Sequence, residues 1–211
     1  MKYTAVLFDL DGVIVDSEIQ HFKAFRSALM EYGIPLSEQQ FRDSFIGKTD
    51  KASFVDFLQA KQMASMNLNE IMAKKASYFQ QLTSKQVSTY HDALTCISEL
   101  TKRDQLMGLV TGSLRSEVQL ILETLGLTQT FSVIITAEDV EQSKPSPEGY
   151  QRAAEKLHVS PAYCLVVEDA PKGIAAATAA GMRCLAVMHT YPATQLQEAD
   201  TIVKKLTIDN F

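Results

Sequence analysis

Short apolar runs alternating with helix-like stretches constrain this chain more than any other feature. Residues 5–8, 106–110, 133–135, 164–167 and 184–187 are apolar, too short for helices, and followed by polar or Gly-containing turns. Residues 202–203 form a weaker sixth run. Between most of them lie helical patterns. Val118, Ile121, Leu122 and Leu125 share one face of 116–125, and Gly126 supplies its stop. The stretch 148–157 follows Pro147, and 171–180 begins at Pro171 and ends before Gly181. Strands alternating with helices predict an α/β fold, a doubly wound parallel sheet (Rossmann-like) covered on both faces.

One region breaks the alternation. From Ser17 to Leu82 only helical periodicity is visible, with turn signals at Gly33-Ile34-Pro35 and Gly47. Phe22, Phe25, Leu29 and Met30 fit one helical face, and so do Phe54, Phe57 and Leu58. Residues 62–68, polar or rich in Met, suit a connection between helices. An all-helical insert over 17–83 is therefore expected, within a core made of 1–16 and 84–211. No internal repeat is evident.

Composition removes several function classes. With 211 residues, 46% of them apolar and 21% charged, the chain has enough apolar surface for a real core. No apolar run reaches the length of a membrane-spanning helix, so no membrane partner is expected. Asp9 and Asp11 stand where a secretory signal would be apolar, which makes a cytoplasmic location the expectation. Cys96, Cys164 and Cys184 include no CxxC pair and read as small buried residues, not as disulfide or zinc ligands. A formal net charge of −5 without a basic stripe argues against nucleic acid.

Open parallel sheets bind ligands beyond the carboxyl ends of their strands. Four such ends here carry polar groups, in chain order: Asp9 and Asp11; Thr111, Gly112 and Ser113; Lys144 before Pro145; and Glu168 with Asp169. Up to four carboxylates would converge on one crevice. Unscreened, they would repel one another or take up protons. A hard divalent cation resolves the conflict, and oxygen-only ligands favour magnesium. Carboxylates on a metal, beside one lysine and several backbone N–H groups, suit a phosphate dianion. One carboxylate can then attack phosphorus while a protonated second one serves the leaving group. Taken singly, each residue has a plainer reading. An acid after a strand is usually a turn or cap former, as expected for Glu138-Asp139, and Thr111 could simply open a helix.

The run Asp9-Leu10-Asp11-Gly12-Val13, then Thr111, Lys144-Pro145 and Glu168-Asp169, resembles the four ordered motifs of the haloacid dehalogenase superfamily. The likeness extends through residues 169–174 and 179–181, and so spans nearly the whole chain. The place of the helical insert, between the first and second motifs, implies that superfamily's cap of the first type. By this resemblance Asp9 is the nucleophile and a magnesium ligand. Asp11 is the general acid and base, its backbone carbonyl a further ligand. Asp169 completes the metal site, with Glu168 acting directly or through water. Thr111 and Lys144 hold phosphoryl oxygens, Lys144 also orienting Asp9, and Gly12 lets the chain turn sharply beside them.

The presence of Asp11 favours an oxygen leaving group, unlike the phosphonoacetaldehyde hydrolases and haloacid dehalogenases of this superfamily, which lack that acid. Phosphatase and β-phosphoglucomutase remain. A mutase must hold a second phosphate in its cap. The loop Ile46-Gly47-Lys48-Thr49-Asp50 resembles the mutase loop at its glycine, yet Asp50 stands where that family has an arginine. His21 resembles a mutase histidine near the hinge, and Lys75 lies near a mutase-like lysine position; Lys48, Lys51 and Lys75 could compensate for Asp50. The expected activity is hydrolysis of a small phosphomonoester, a sugar or polyol phosphate, through an aspartyl phosphate. Gly12, Gly112, Ser113, His21, Gly47, Lys48 and Lys75 are the expected substrate contacts. A phosphosugar mutase and a non-catalytic phosphate-binding protein on the same fold are the alternatives. A monomer is expected.

Overall fold

The computed structural model describes residues 3–46, 49–84 and 86–211. Six strands form one parallel sheet: β1 (Ala5–Phe8), β2 (Leu106–Val110), β3 (Val133–Ile135), β4 (Cys164–Glu168), β5 (Arg183–Val187) and β6 (Thr201–Val203). Their order is β3-β2-β1-β4-β5-β6. The chain winds outward from β1 to β3, then restarts at β4 on the other side of β1. That reversal opens a crevice above the adjacent ends of β1 and β4.

Period-two alternation sends the residues of β1 to opposite faces. Val6 and Phe8 join a core with Cys96, Ile97 and Leu100 of α5 (His91–Lys102) and Val118, Ile121 and Leu122 of α6 (Arg115–Leu125). Ala5 and Leu7 join another with Tyr150 and Ala153 of α7 (Glu148–Leu157) and Ile174 and Ala177 of α8 (Pro171–Ala179). Both faces of the sheet are thus covered, as its nearly continuous apolar strands require.

Between β1 and α5 lie α1 (Glu18–Met30), α2 (Glu38–Ser44), α3 (Asp50–Ala60) and α4 (Leu68–Thr83), with no strand among the described residues of this stretch. Their starts are written locally. Ser37 and Gln40 form a reciprocal capping box on α2, Thr49 accepts from the N–H of Ala52, and Asn67 accepts from that of Glu70. These helices have their own core, in which Phe22, Phe25, Phe41, Phe45, Phe54 and Phe57 pack in edge and tilted contacts. Each buried ring contributes about 1.5–3 kcal/mol, so the six together give the insert a substantial core of its own. Its two connections run side by side. Val15 bridges Thr89 in antiparallel fashion, the N–H of Asp16 donates to Ser88 O at 2.9 Å, and that of Tyr90 donates to Ile14 O at 3.0 Å. No helix among the described residues is long and apolar enough to cross a membrane.

Candidate active site

The first functional side chain extends the sheet. Asp9 follows Phe8, and its N–H donates to Val167 O at 3.0 Å, which sets it beside the end of β4. The chain then folds back in a tight turn in which Ile14 N–H donates to Leu10 O at 2.8 Å and Gly12 N–H to Val15 O at 2.8 Å. Gly12 has φ +83°, and a Cβ there would lie 2.0 Å from a carboxylate oxygen of Asp169. Only glycine satisfies both conditions.

Lys144 reaches the same point from the loop after β3. Its ammonium donates to Asp9 Oδ1 at 2.8 Å, Glu168 Oε1 at 2.7 Å and Val110 O at 3.0 Å. Glu168, the last residue of β4, also accepts from the Tyr150 hydroxyl at 2.7 Å and from the N–H groups of Asp169 and Ala170 at 3.2 and 3.4 Å. α8 approaches so closely that a Cβ on Gly173 would fall 1.8 Å from Glu168 Oε1.

Asp9, Glu168 and Asp169 each offer an oxygen, all within 4.8 Å of one another, and all three residues are buried. Burial, with Glu168 and Asp11 adding to it against the opposing charge of Lys144, pushes the Asp9 carboxyl up to about 7. Burial and the charges of Glu168 and Asp9 raise Asp169 well above the usual carboxylate range. Lys144 is the ammonium in direct contact with Asp9 and Glu168. A hard divalent cation in this oxygen-only set would remove the conflict, so the residues fit magnesium.

Asp11 stands apart from this trio. It accepts from Ser17 Oγ, from Ser113 Oγ at 2.6 Å and from Thr111 Oγ1 at 3.3 Å, and His21 Nε2 lies 3.5 Å from it. Burial alone would raise it, but hydrogen bonds from His21, Ser113 and Ser17 hold it below the carboxylate range. Thr111 Oγ1 also accepts from the N–H of Ser113 at 3.0 Å, which ties the turn after β2 to Asp11.

One cavity joins these groups to the helical insert. Asp9, Asp11, Gly12, Thr111, Gly112, Ser113, Lys144, Glu168, Asp169 and His21 all line it, with Phe25, Phe41, Phe45 and Asp50 from the insert. Lys75 does not. It stands behind His21, donating to Nδ1 at 2.9 Å, and also contacts Asp50 and Glu117. Since an ammonium can only donate, Nδ1 accepts and a neutral His21 carries its proton on Nε2, toward Asp11. Gly47 and Lys48 lie outside the described residues. Glu138 and Asp139 serve the loop as expected: Asp139 closes a box with Thr136, and Glu138 accepts from the N–H of Arg115 at 2.7 Å.

The sequence does not single out Tyr150, Glu117 or His189. Tyr150 is a spaced apolar residue on α7, and nothing local marks its hydroxyl for Glu168. His189, stacked on Tyr90 with ring centroids 3.7 Å apart, donates to Gly12 O at 2.9 Å and so holds the catalytic turn from β5.

The description of the haloacid dehalogenase-like hydrolases matches residues 6–187. The chain belongs to this family. A validoxylamine A 7′-phosphate phosphatase of Streptomyces hygroscopicus subsp. limoneus is 35% identical over 205 residues, covering 97% of this chain and 95% of that protein. A β-phosphoglucomutase of Bacillus subtilis is 31% identical over 209 residues, covering 95% and 89%. Among solved structures, CbbY of Rhodobacter sphaeroides in complex with xylulose-(1,5)bisphosphate superposes with a TM-score of 0.90 over 96% of this chain and 94% of that one. At 23% identity, that likeness shows the fold alone. The protein is thus a family enzyme with both phosphatases and a mutase among its relatives.

Proposed function

We propose that this haloacid dehalogenase-like enzyme is a magnesium-dependent phosphohydrolase of small phosphomonoesters, such as sugar or polyol phosphates, working through an aspartyl phosphate. The observation that carries the reading is the gathering of Asp9 with Lys144 and the carboxylates of Glu168 and Asp169, with Asp11 lining the same cavity. Residues 1–16 and 84–211 act as the catalytic core, and 17–83 as the cap that closes over it.

Asp9, Asp169 and the Asp11 carbonyl would hold the metal, with Glu168 binding directly or through water. When bound, the ion screens the repulsion between the carboxylates and the phosphoryl oxygens. Lys144 opposes the upward shift of the Asp9 carboxyl and aims it, and with Thr111, Gly112 and Ser113 it binds the phosphoryl group. Asp9 attacks phosphorus, and the bond to the alcohol oxygen breaks. Asp11 gives that oxygen its proton, then takes one from the water that attacks the aspartyl phosphate. The incoming phosphate dianion raises the proton affinity of Asp11, which prepares it as an acid. His21 Nε2–H steadies its carboxylate between the two steps.

Hydrolysis is favoured over phosphoryl transfer to a second site because Lys75, which lies near a mutase-like lysine position, is buried outside the cavity wall and held by Asp50 and Glu117. The test is turnover of p-nitrophenyl phosphate with and without magnesium, beside Asp9→Asn. Activity that survives Asp9→Asn would sink the mechanism, and no turnover of any phosphoester would favour a binding protein. With β-glucose 1-phosphate followed by phosphorus NMR, inorganic phosphate is expected; glucose 6-phosphate as the main product would make the enzyme a mutase.

A further inference from the structure

The Lys75 ammonium is fully buried on α4, 2.7 Å from Asp50 on α3 and 2.7 Å from Glu117 on α6. The rings of Phe25 and Phe79 close over it at 5.1 and 4.7 Å. Glu117 is buried too, inside a helix of the sheet core, where an unpaired carboxylate would cost several kcal/mol. Lys75 is its ion-pair partner, and its position in the first turn of α6 also favours an acid. Two carboxylates share one ammonium here, with burial and Asp50 raising the Glu117 carboxyl against the pull of Lys75, and Asp50 brings the cluster to the wall of the cavity. Glu18 also lines the cavity but is paired with Arg42 at 3.5 Å. The lysines that line it, Lys144 and Lys172, come from the sheet core; among the described residues no lysine or arginine of α1–α4 does.

A substrate phosphate occupies the Asp9 end. A second phosphate on the same molecule would have to lie toward this anionic wall. A unit charge about 10 Å from a phosphate dianion changes its binding roughly three- to tenfold at moderate ionic strength.

We propose that Glu117 is a specificity-determining residue: by claiming Lys75 jointly with Asp50, it keeps the cap side of the cavity anionic and excludes substrates that carry a second phosphate. This rests on the phosphomonoester reading above. Glu117 touches no substrate and acts through Lys75 and Asp50.

The test is calorimetric and needs no turnover, so it stands apart from the test of hydrolysis. Fructose 6-phosphate and fructose 1,6-bisphosphate are titrated, with magnesium, into Asp9→Asn protein with and without Glu117→Gln. The expected result is a three- to tenfold gain in bisphosphate affinity, with monophosphate affinity within about twofold. Glu117→Asp should keep the parent ratio. So should the double variant Lys75→Met/Glu117→Gln, which restores the parent charge with a different shape. Affinities for the two ligands that move together, or not at all, overturn the proposal, since a purely structural role for Glu117 would not change their ratio. If Glu117→Gln does not fold, Asp50→Asn removes the same charge from the cap side and must shift the ratio in the same direction.

Discussion

Lys144 stands 2.8 Å from Asp9 and 2.7 Å from Glu168, and Lys75 stands 2.7 Å from each of Asp50 and Glu117. The local motif is the same, an ammonium bridging two carboxylates taken from different elements. The surroundings differ. Beside Lys144 are two more carboxylates, Asp11 and Asp169, and the group opens on a cavity. Lys75 is instead sealed by two aromatic rings. The first cluster is short of positive charge and would be completed by the proposed metal ion; the second has one ammonium for two carboxylates, and that ammonium is closed off from any ligand. Net charge per cluster, not the presence of a buried lysine, separates a reacting centre from a structural one.

The largest effect that could break this comparison is on catalysis. Lys144→Met should lower kcat on p-nitrophenyl phosphate by about 10²–10³-fold. Lys75→Met, assayed below its melting temperature, should cost far less; equal losses would mean that both lysines serve the chemistry. Stability should show the reverse pattern. Lys75→Met leaves two buried carboxylates without a partner and should destabilise by about 3–5 kcal/mol, with magnesium giving no relief. Magnesium should recover much of whatever stability Lys144→Met loses. Chemical denaturation of both variants with and without the ion decides between these outcomes.

A smaller effect appears with pH. Asp9, raised to about 7, and Asp169, raised above the usual range, bind protons in the folded state that they give up when unfolded. The contribution of these two groups to the stability of metal-free protein, followed as its melting temperature, is therefore fully present below about pH 4 and is lost as pH rises through 7. That slope is opposite in sign to the one from carboxyls held low, such as Asp11 and Asp92. Magnesium should flatten that slope. A slope unchanged by the ion would mean that the carboxylates do not hold it. The smallest effect comes from a third lysine. Lys102 pairs with Glu99 at 2.6 Å on the surface, 66% exposed, and Lys102→Ala should leave the melting temperature unchanged within error.

The sheet was legible because each strand is buried on both faces and so reads as an unbroken apolar run. Cys164–Glu168 and Arg183–Val187 each extend one polar residue beyond the apolar pattern, because hydrogen bonding continues past it. α5 carries no comparable signal. Its N-cap is Tyr90, which makes no side-chain cap bond. The groups at the ends of β1, β2 and β4 were legible too, since a residue following a strand has its place fixed by the sheet. Lys75 and Glu117 were not. They lie on helix faces 42 residues apart, and a lysine that meets a carboxylate reads in sequence like one that meets solvent or substrate. Asp50, which reads as a substitution unfavourable to a second phosphate, is in the structure half of the pair that disposes of Lys75.

The paired segments around Val15 and Thr89 bring the departure and return of the inserted chain to neighbouring positions. Among the described residues no strand of the sheet lies in that interval. The insert can therefore be redrawn without changing strand register, apart from residues such as Ala24, Phe79 and Lys75 that bear on the sheet core. On the proposed reading, chemistry and choice of substrate are then carried largely by different parts of the chain. New selectivity can arise by replacing or redrawing the insert, while Asp9, Lys144 and Asp169 stay as they are.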